Sequence, residues 1–101
     1  MMTVAGSLVA GRGDRGRLIE ISLAHVRRSR GEAGCLEHGV AVDAESADRL
    51  VFFERWRDRE APLAHFALAA SREFAAEAAR LAAAPPVLRI YGAEEIRASK
   101  A

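Results

Sequence analysis

The chain has 101 residues, of which 50% are hydrophobic and 29% charged, and its 15 Lys and Arg nearly balance its 14 Asp and Glu. This length fits one small domain, and the charge balance disfavours a dedicated nucleic-acid binder or a polybasic membrane anchor. A domain of this size buries little surface, so self-association is expected. Residues 1–10 are too short and interrupted for an export signal or membrane span, and the single cysteine fits a reducing compartment. We therefore expect a cytoplasmic protein.

The N-terminal third of the sequence predicts a strand followed by a helix. Residues 4–9 are small or branched apolar side chains that end at a glycine-rich turn, which favours a strand. Asp14 stands at the expected N-cap of a helix, and apolar residues then recur every three or four positions as far as Val26. Gly31 follows a cluster of arginines and is predicted to end this helix in a left-handed conformation.

The middle of the sequence predicts two antiparallel strands. Residues 35–42 alternate, which places Leu36 and His38 on one face and Cys35 on the other. A polar connection of hairpin length follows, and residues 50–56 resume with aromatic and branched side chains. Both faces of this third strand are mainly apolar, so both must be covered.

The C-terminal part predicts helical segments and a last strand. Asp58 is expected to cap a helix, and Ser71 to cap a third, alanine-rich helical segment that ends at Leu81. Two prolines stop that segment, and residues 87–91 supply the final strand. The predicted order of elements is therefore β-α-β-β-α-(α)-β.

This order predicts the fold class α+β, in the ferredoxin-like split βαβ arrangement: a four-stranded antiparallel sheet with helices on one face. We expect a single domain over residues 1–101, with its core at about 3–92 and a polar C-terminal tail at 93–101. A bare sheet face is inconsistent with a third strand that is apolar on both sides. A second copy is therefore expected to pack sheet against sheet, giving a homodimer.

Three short motifs have ordinary structural interpretations. Residues 11–16 match G-x-G-x-x-G, but a dinucleotide fold continues with parallel βαβ units, whereas a hairpin follows here, so we interpret the motif as a loop and helix start. Its Arg12-Gly13-Asp14 tripeptide would suggest adhesion-receptor binding only in an exported protein. Cys35 is interpreted as a packing residue, because no adjacent base or cationic setting favours its thiolate.

The aromatic and histidine residues carry the functional signal. The three histidines, His25, His38 and His65, show neither H-x-H nor H-x-x-x-H spacing, so no metal site is predicted, and His25 and His38 are interpreted as half-buried structural side chains. Trp56 ends a core strand and His65 lies on the next helix, so the two can converge on one cavity with a stacking surface, an N–H donor and a near-neutral base. A purely structural role for both remains the alternative.

Three stretches resemble the antibiotic biosynthesis monooxygenase (ABM) superfamily, which includes quinol monooxygenases. They are Glu32-Ala33-Gly34-Cys35-Leu36, Leu50-Val51-Phe52-Phe53-Glu54-Arg55-Trp56 and Leu63-Ala64-His65-Phe66, followed by Phe74. The most specific feature is the E-x-W end of a strand before a helix that carries L-x-H. The resemblance covers about residues 3–92, although Ala33 stands where members often carry proline.

The resemblance implies a dimeric α+β barrel that oxidises quinols or anthrone-type compounds with O₂ and without a metal, flavin or other cofactor. By matching position, Trp56 would line the pocket and donate its indole N–H to a substrate oxygen, while His65 would accept or relay the phenolic proton. Flat apolar walls and further substrate contacts would come from Phe52, Phe66, Phe74, His38 and Tyr91. The haem-degrading branch uses an asparagine on strand one, where this chain has Gly6 or Ser7, so haem degradation is not expected.

Two functions of different classes remain open. The first is a cofactor-independent monooxygenase that acts on a small quinol, phenol or anthrone-like substrate. The second is a non-catalytic dimeric ligand-binding or stress-response module on the same fold, since a fold does not determine chemistry. RNA binding through the sheet is disfavoured, because the first and third strands lack the paired aromatics flanked by Lys or Arg that such sheets use.

Overall fold

The computed structural model describes residues 1–98, so residues 99–101 of the predicted tail lie outside the described residues. The four strands form one sheet in the order β2-β3-β1-β4, and every neighbouring pair is antiparallel. This arrangement confirms the predicted ferredoxin-like α+β fold. The elements in chain order are β1 (Met2–Val9), α1 (Arg15–Ser29), β2 (Cys35–Asp43), β3 (Ser46–Trp56), α2 (Glu60–Ala67), α3 (Ala69–Leu81) and β4 (Val87–Gly92).

The core lies between the helices and one face of the sheet. Alternate residues of β1 and β3 point to this face, as the two-residue period of a strand requires, and Val4, Leu50 and Trp56 are almost completely buried there. Leu18 of α1 and Leu81 of α3 close the core from the helical side. No helix among residues 1–98 is long and apolar enough to cross a membrane.

The opposite face of the sheet carries exposed apolar side chains in the single chain, beside the polar Ser7, Arg55 and Arg89. Phe53 at its centre keeps 45% of its surface accessible, and Val9 keeps 39%. The edge strand β4 is exposed along its whole length, including Tyr91, which pairs with Thr3 of β1. Scattered apolar residues are normal on a protein surface, but a contiguous apolar sheet face is typical of an interaction surface.

A β-bulge changes the predicted faces of β2. The register shifts between Cys35 and Glu37, so Leu36 is an extra residue without a partner on β3. Cys35 consequently pairs with Trp56 and packs against the core, whereas Leu36 is 50% exposed. The prediction that Leu36 shares the face of His38 was therefore wrong, because simple alternation does not anticipate a bulge.

Two predicted helix termini also differ from the structure. Gly31 is not left-handed. The last turn of α1 continues past it through backbone bonds, and Gly34 adopts the positive φ of 81° instead. Ser71 does not cap α3, which begins two residues earlier at Ala69 and buries Ser71. Asp58 lies one residue before the N-cap position of α2, which is Arg59, but its Oδ1 accepts the Ala61 N–H at 3.0 Å and so supports the first turn of the helix.

The glycine-rich segment after β1 is a turn that leads into α1. Gly13 adopts a φ of 82°, and the Asp14 N–H donates to the Gly11 carbonyl at 3.0 Å. The sheet that follows is antiparallel, unlike the parallel sheet of a dinucleotide-binding fold. The structure thus agrees with the interpretation of this motif as a loop and helix start.

Gly34 provides the first testable prediction. A Cβ atom at Gly34 would lie 2.7 Å from the Ala61 Cβ of α2, whereas one at Gly13 would meet nothing within 4 Å, although both glycines have positive φ. We expect Gly34→Ala to cost about 2–4 kcal/mol, from backbone strain and overpacking together, and Gly13→Ala about 1 kcal/mol from strain alone. Urea unfolding of both variants measures the difference, and equal losses would contradict a close contact between Gly34 and α2.

Candidate functional site

A cavity of about 250 Å³ lies between the sheet and the helices. Its aromatic walls come from Phe52 of β3, Phe66 of α2 and Phe74 of α3, the three phenylalanines expected to contact substrate. Its polar lining includes His25, Glu54, His65 and Ser71. An apolar cavity with a few convergent polar groups is the usual form of a small-molecule site.

His65 is held in place by a carboxylate. The residue is buried on α2, and its Nδ1 lies 2.7 Å from Oε1 of Glu32. A carboxylate only accepts hydrogen bonds, so Nδ1 donates to it and Nε2 remains a free acceptor. Glu32 reaches His65 because the left-handed Gly34 lets the segment before β2 approach α2 closely. The pair has the form of a base oriented by an acidic partner.

Trp56 lies beside His65 but does not face the cavity. The two ring centres are 4.9 Å apart, so the structure brings the two predicted residues together. However, Trp56 is fully buried, and its Nε1–H donates to Oε1 of Glu54 at 2.9 Å. The expectation that Trp56 lines the pocket and donates to a substrate oxygen is not met here. Glu54 lies two residues earlier on the same face of β3 and already accepts that hydrogen.

His38 lies buried behind the cavity rather than on its wall. It pairs with Glu54 across the β2–β3 ladder, and its Nε2 is 3.4 Å from Oε1 of Glu54. Among residues 1–98, neither of its ring nitrogens has a hydrogen-bond partner. Buried nitrogens without partners are rare in proteins, so this side chain requires an explanation.

His25 completes a cluster of three histidines. Its ring stacks on Phe74 at a centroid distance of 4.0 Å, and its Nδ1 accepts a hydrogen bond of 2.7 Å from the guanidinium of Arg28. Burial, the neighbouring His65 and His38, and the charge of Arg28 lower the pKa of His25 to about 3. The side chain is therefore neutral at physiological pH.

Tyr91 is the one predicted substrate contact that lies on the other side of the sheet. It occupies the β4 edge, is half exposed and is not among the residues that line the cavity. In a single chain it cannot reach a ligand beside His65, because the β1–β4 register directs it away from the helices.

Three polar residues of the site, His25, Glu32 and Glu54, have no functional role predicted from the sequence, although Glu32 and Glu54 stand in the stretches that carry the family resemblance. A signal for His25 exists in α1, whose buried positions include Leu18, Ser22 and Ser29 at helical spacing from it. That stripe places His25 toward the sheet. The distance between α1 and β2 in three dimensions could not be inferred from this spacing.

Cys35 provides the second testable prediction. Burial and the nearby carboxylates of Glu54 and Glu32 raise the pKa of its thiol, so less thiolate is present at pH 8 than in an ordinary cysteine. We expect Ellman's reagent to react more slowly with the folded protein than with the urea-unfolded chain. Its pH–rate curve should be displaced to higher pH. Fast reaction of the folded protein at pH 7 would contradict the interpretation of Cys35 as an inert packing residue.

Comparisons with known proteins identify the family of the chain. The antibiotic biosynthesis monooxygenase family matches residues 1–77 of the chain, and the chain belongs to this family. An uncharacterized protein of Synechocystis, sll1783, is 30% identical over 90 residues, which are 89% of this chain and 61% of that protein. The chain thus spans less than two thirds of this relative.

Solved structures show the same fold. A protein from Deinococcus radiodurans, described as a candidate antibiotic biosynthesis monooxygenase, superposes with a TM-score of 0.93 at 22% identity, over 100% of both chains. Rv0793 from Mycobacterium tuberculosis has a TM-score of 0.87 at 24% identity, covering 97% of this chain and 98% of its own. At these identities the likeness establishes the fold alone.

Proposed function

We propose that the protein is a cofactor-independent monooxygenase that oxidises a small quinol, phenol or anthrone-like substrate with O₂. The observation that carries the proposal is the His65–Glu32 pair, in which Nδ1 is bound at 2.7 Å and Nε2 is left free at the wall of an aromatic-lined cavity. A neutral imidazole in this setting is suited to take a proton from a phenol. Phe52, Phe66 and Phe74 would hold the flat ring of the substrate.

The chemistry requires the protein mainly to ionise and position the substrate. His65 removes the phenolic proton, and the resulting electron-rich anion gives one electron to O₂. The two radicals combine to form a C–O bond, and the protonated imidazole returns its proton to give a hydroperoxide. Loss of water from an anthrone-type CH–OOH group leaves a carbonyl. One oxygen atom enters the product and the other enters water, with no external reductant.

The proposal includes a homodimer formed by packing sheet against sheet. The exposed face around Phe53 and Val9 and the exposed edge strand β4 support it, because a second copy would remove this apolar surface from water. Tyr91 would then lie in the interface rather than in the cavity of its own chain. We propose a cytoplasmic location, which the lone free Cys35 supports.

The test uses O₂ consumption with a panel of hydroquinones and anthrones, together with two matched variants on α3. Ala75 and the adjacent Ala76 are both exposed, but only Ala75 lines the cavity. We expect Ala75→Phe to block turnover by obstructing the cavity, and Ala76→Phe to leave it unchanged. With ¹⁸O₂, one labelled atom is expected in an anthrone-derived product.

The same experiment distinguishes the non-catalytic alternative. Trp56 is the only tryptophan and its ring lies 4.9 Å from that of His65, so its fluorescence can report ligand binding. Fluorescence changes that Ala75→Phe abolishes, without O₂ uptake for any substrate, would overturn the oxygenase proposal and favour a ligand-binding module.

A further inference from the structure

The three histidines of the chain converge at one buried point. His25 comes from α1, His38 from β2 and His65 from α2. One ring nitrogen from each can be chosen so that all three atoms lie within 4.8 Å of one another, and all three residues are buried. We propose that this cluster binds one divalent transition-metal ion of the kind that prefers imidazole ligands.

The separations of the rings fit a shared ion. Three imidazoles bound to one tetrahedral ion through bonds of about 2 Å have ring centres roughly 5 Å apart. The centres of His25, His38 and His65 are 5.4, 5.1 and 5.4 Å apart in pairs. The chosen nitrogens lie within 4.8 Å of one another and would have to approach to roughly 3.3 Å, which requires the rings to turn on binding. A set of three neutral imidazoles suits Zn²⁺, Co²⁺, Ni²⁺ or Cu²⁺.

His38 provides an independent indication of a ligand. Its side chain is fully buried, and both of its nitrogens lack a hydrogen-bond partner among the described residues. Its Nε2 lies 3.4 Å from Oε1 of Glu54 without hydrogen-bonding geometry. Two donor atoms on one tetrahedral ion are roughly 3.3 Å apart, so this spacing suits two ligands of a common metal. Glu54 would then act as a fourth ligand.

The surroundings supply charge and orientation. The carboxylates of Glu32 and Glu54 would balance the two positive charges of the ion. Glu32 accepts from Nδ1 of His65, which leaves Nε2 to face the metal, and this carboxylate–histidine arrangement is the usual support of a metal ligand.

Arg28 opposes metal binding and thereby gives a specific test. Its guanidinium lies 2.7 Å from Nδ1 of His25 and can only donate, so Nδ1 is unprotonated and Nε2 carries the hydrogen. For Nε2 to bind a metal, that hydrogen must move to Nδ1 and Arg28 must turn away, which its exposed position allows. A carboxylate at position 28 would instead accept from Nδ1–H and support the ligand.

The inference does not rest on the proposed oxidation. Metal binding is measured without substrate, and oxidation is measured after treatment with a chelator, so either can fail alone. The two are mutually exclusive at one atom, because Nε2 of His65 cannot hold a metal and accept a proton together. Zn²⁺ is therefore expected to inhibit the oxidation.

The test is calorimetric titration of untagged protein with Zn²⁺, supported by the visible spectrum of the Co²⁺ form. An untagged chain has only the three histidines of the cluster. We expect one ion per chain and a tetrahedral Co²⁺ spectrum. His38→Gln should weaken binding by more than the roughly 100-fold that loss of a supporting partner costs. Arg28→Glu should tighten binding roughly tenfold or more, and Cys35→Ala should leave it unchanged.

Several results would overturn the inference. These are no Zn²⁺ binding, binding that survives His38→Gln, binding that Cys35→Ala abolishes, or binding that Arg28→Glu does not tighten. If His38→Gln fails to fold, Arg28→Glu still decides the question, since Arg28 is exposed.

Discussion

Replacing His65 with glutamine is expected to lower kcat for the proposed oxidation by roughly 10²- to 10⁴-fold, with little change in KM. Glutamine is polar and similar in reach, so it can retain a hydrogen bond to Glu32, but it cannot take a proton. The cavity walls formed by Phe52 and Phe74 stay intact, which is why substrate binding should persist. Steady-state O₂ uptake of both proteins measures the effect.

The acidity of the substrate provides the control for this prediction. A phenol that is already largely ionised at the assay pH does not need a base. The loss caused by His65→Gln should therefore shrink across a series of increasingly acidic hydroquinones. A constant loss across the series would show that His65 supports the fold or binds substrate rather than accepts a proton.

Glu32 is a positioning residue in the same scheme. Glu32→Gln should lower kcat less than His65→Gln does and leave KM unchanged, because the imidazole is less well oriented while the cavity keeps its shape. Glu37→Gln is the matched control, since Glu37 lies on the exposed side of β2 and pairs with Arg55. The two variants remove the same charge, so an equal effect on kcat would contradict a specific role for Glu32.

The fold could be predicted because elements that are neighbours in the chain also pair in space. The alternation in β2 and β3 and the short turn between them predict a hairpin, and the order of elements then leaves few topologies. Trp56 and His65 come together for the same reason, because α2 begins at Glu60, shortly after β3 ends at Trp56. Contacts between neighbouring elements were therefore predictable.

The rest of the site depends on contacts between separate elements, which the residue pattern of a single helix or strand does not predict. Glu32 contacts His65 beside the left-handed Gly34, whereas the sequence pattern predicts the left-handed residue at Gly31. His25 meets His38 because α1 crosses the sheet above β2, a packing geometry that its periodicity does not specify. The spacing of the histidines along the chain predicted no metal site, because the three residues of the proposed site come from three separate elements.

Trp56 is expected to matter more for stability than for catalysis. Trp56→Ala should cost about 3–5 kcal/mol, because it empties a fully buried position between β1 and α2. Trp56→Phe should cost about 1–3 kcal/mol, since most of the ring volume remains but the hydrogen bond to the buried Glu54 is lost. Urea unfolding of both variants measures these losses.

The activity of Trp56→Phe then separates the two roles considered for this residue. Its indole N–H is engaged at 2.9 Å by Glu54 and is not directed into the cavity, so the variant should keep kcat/KM within a few-fold of the parent protein. Glu54→Gln is the companion variant, because an amide oxygen can still accept from Trp56 while the carboxylate charge is removed. If folded Trp56→Phe loses activity as severely as His65→Gln does, the indole N–H acts on the substrate. The bond to Glu54 would then have to break when substrate binds.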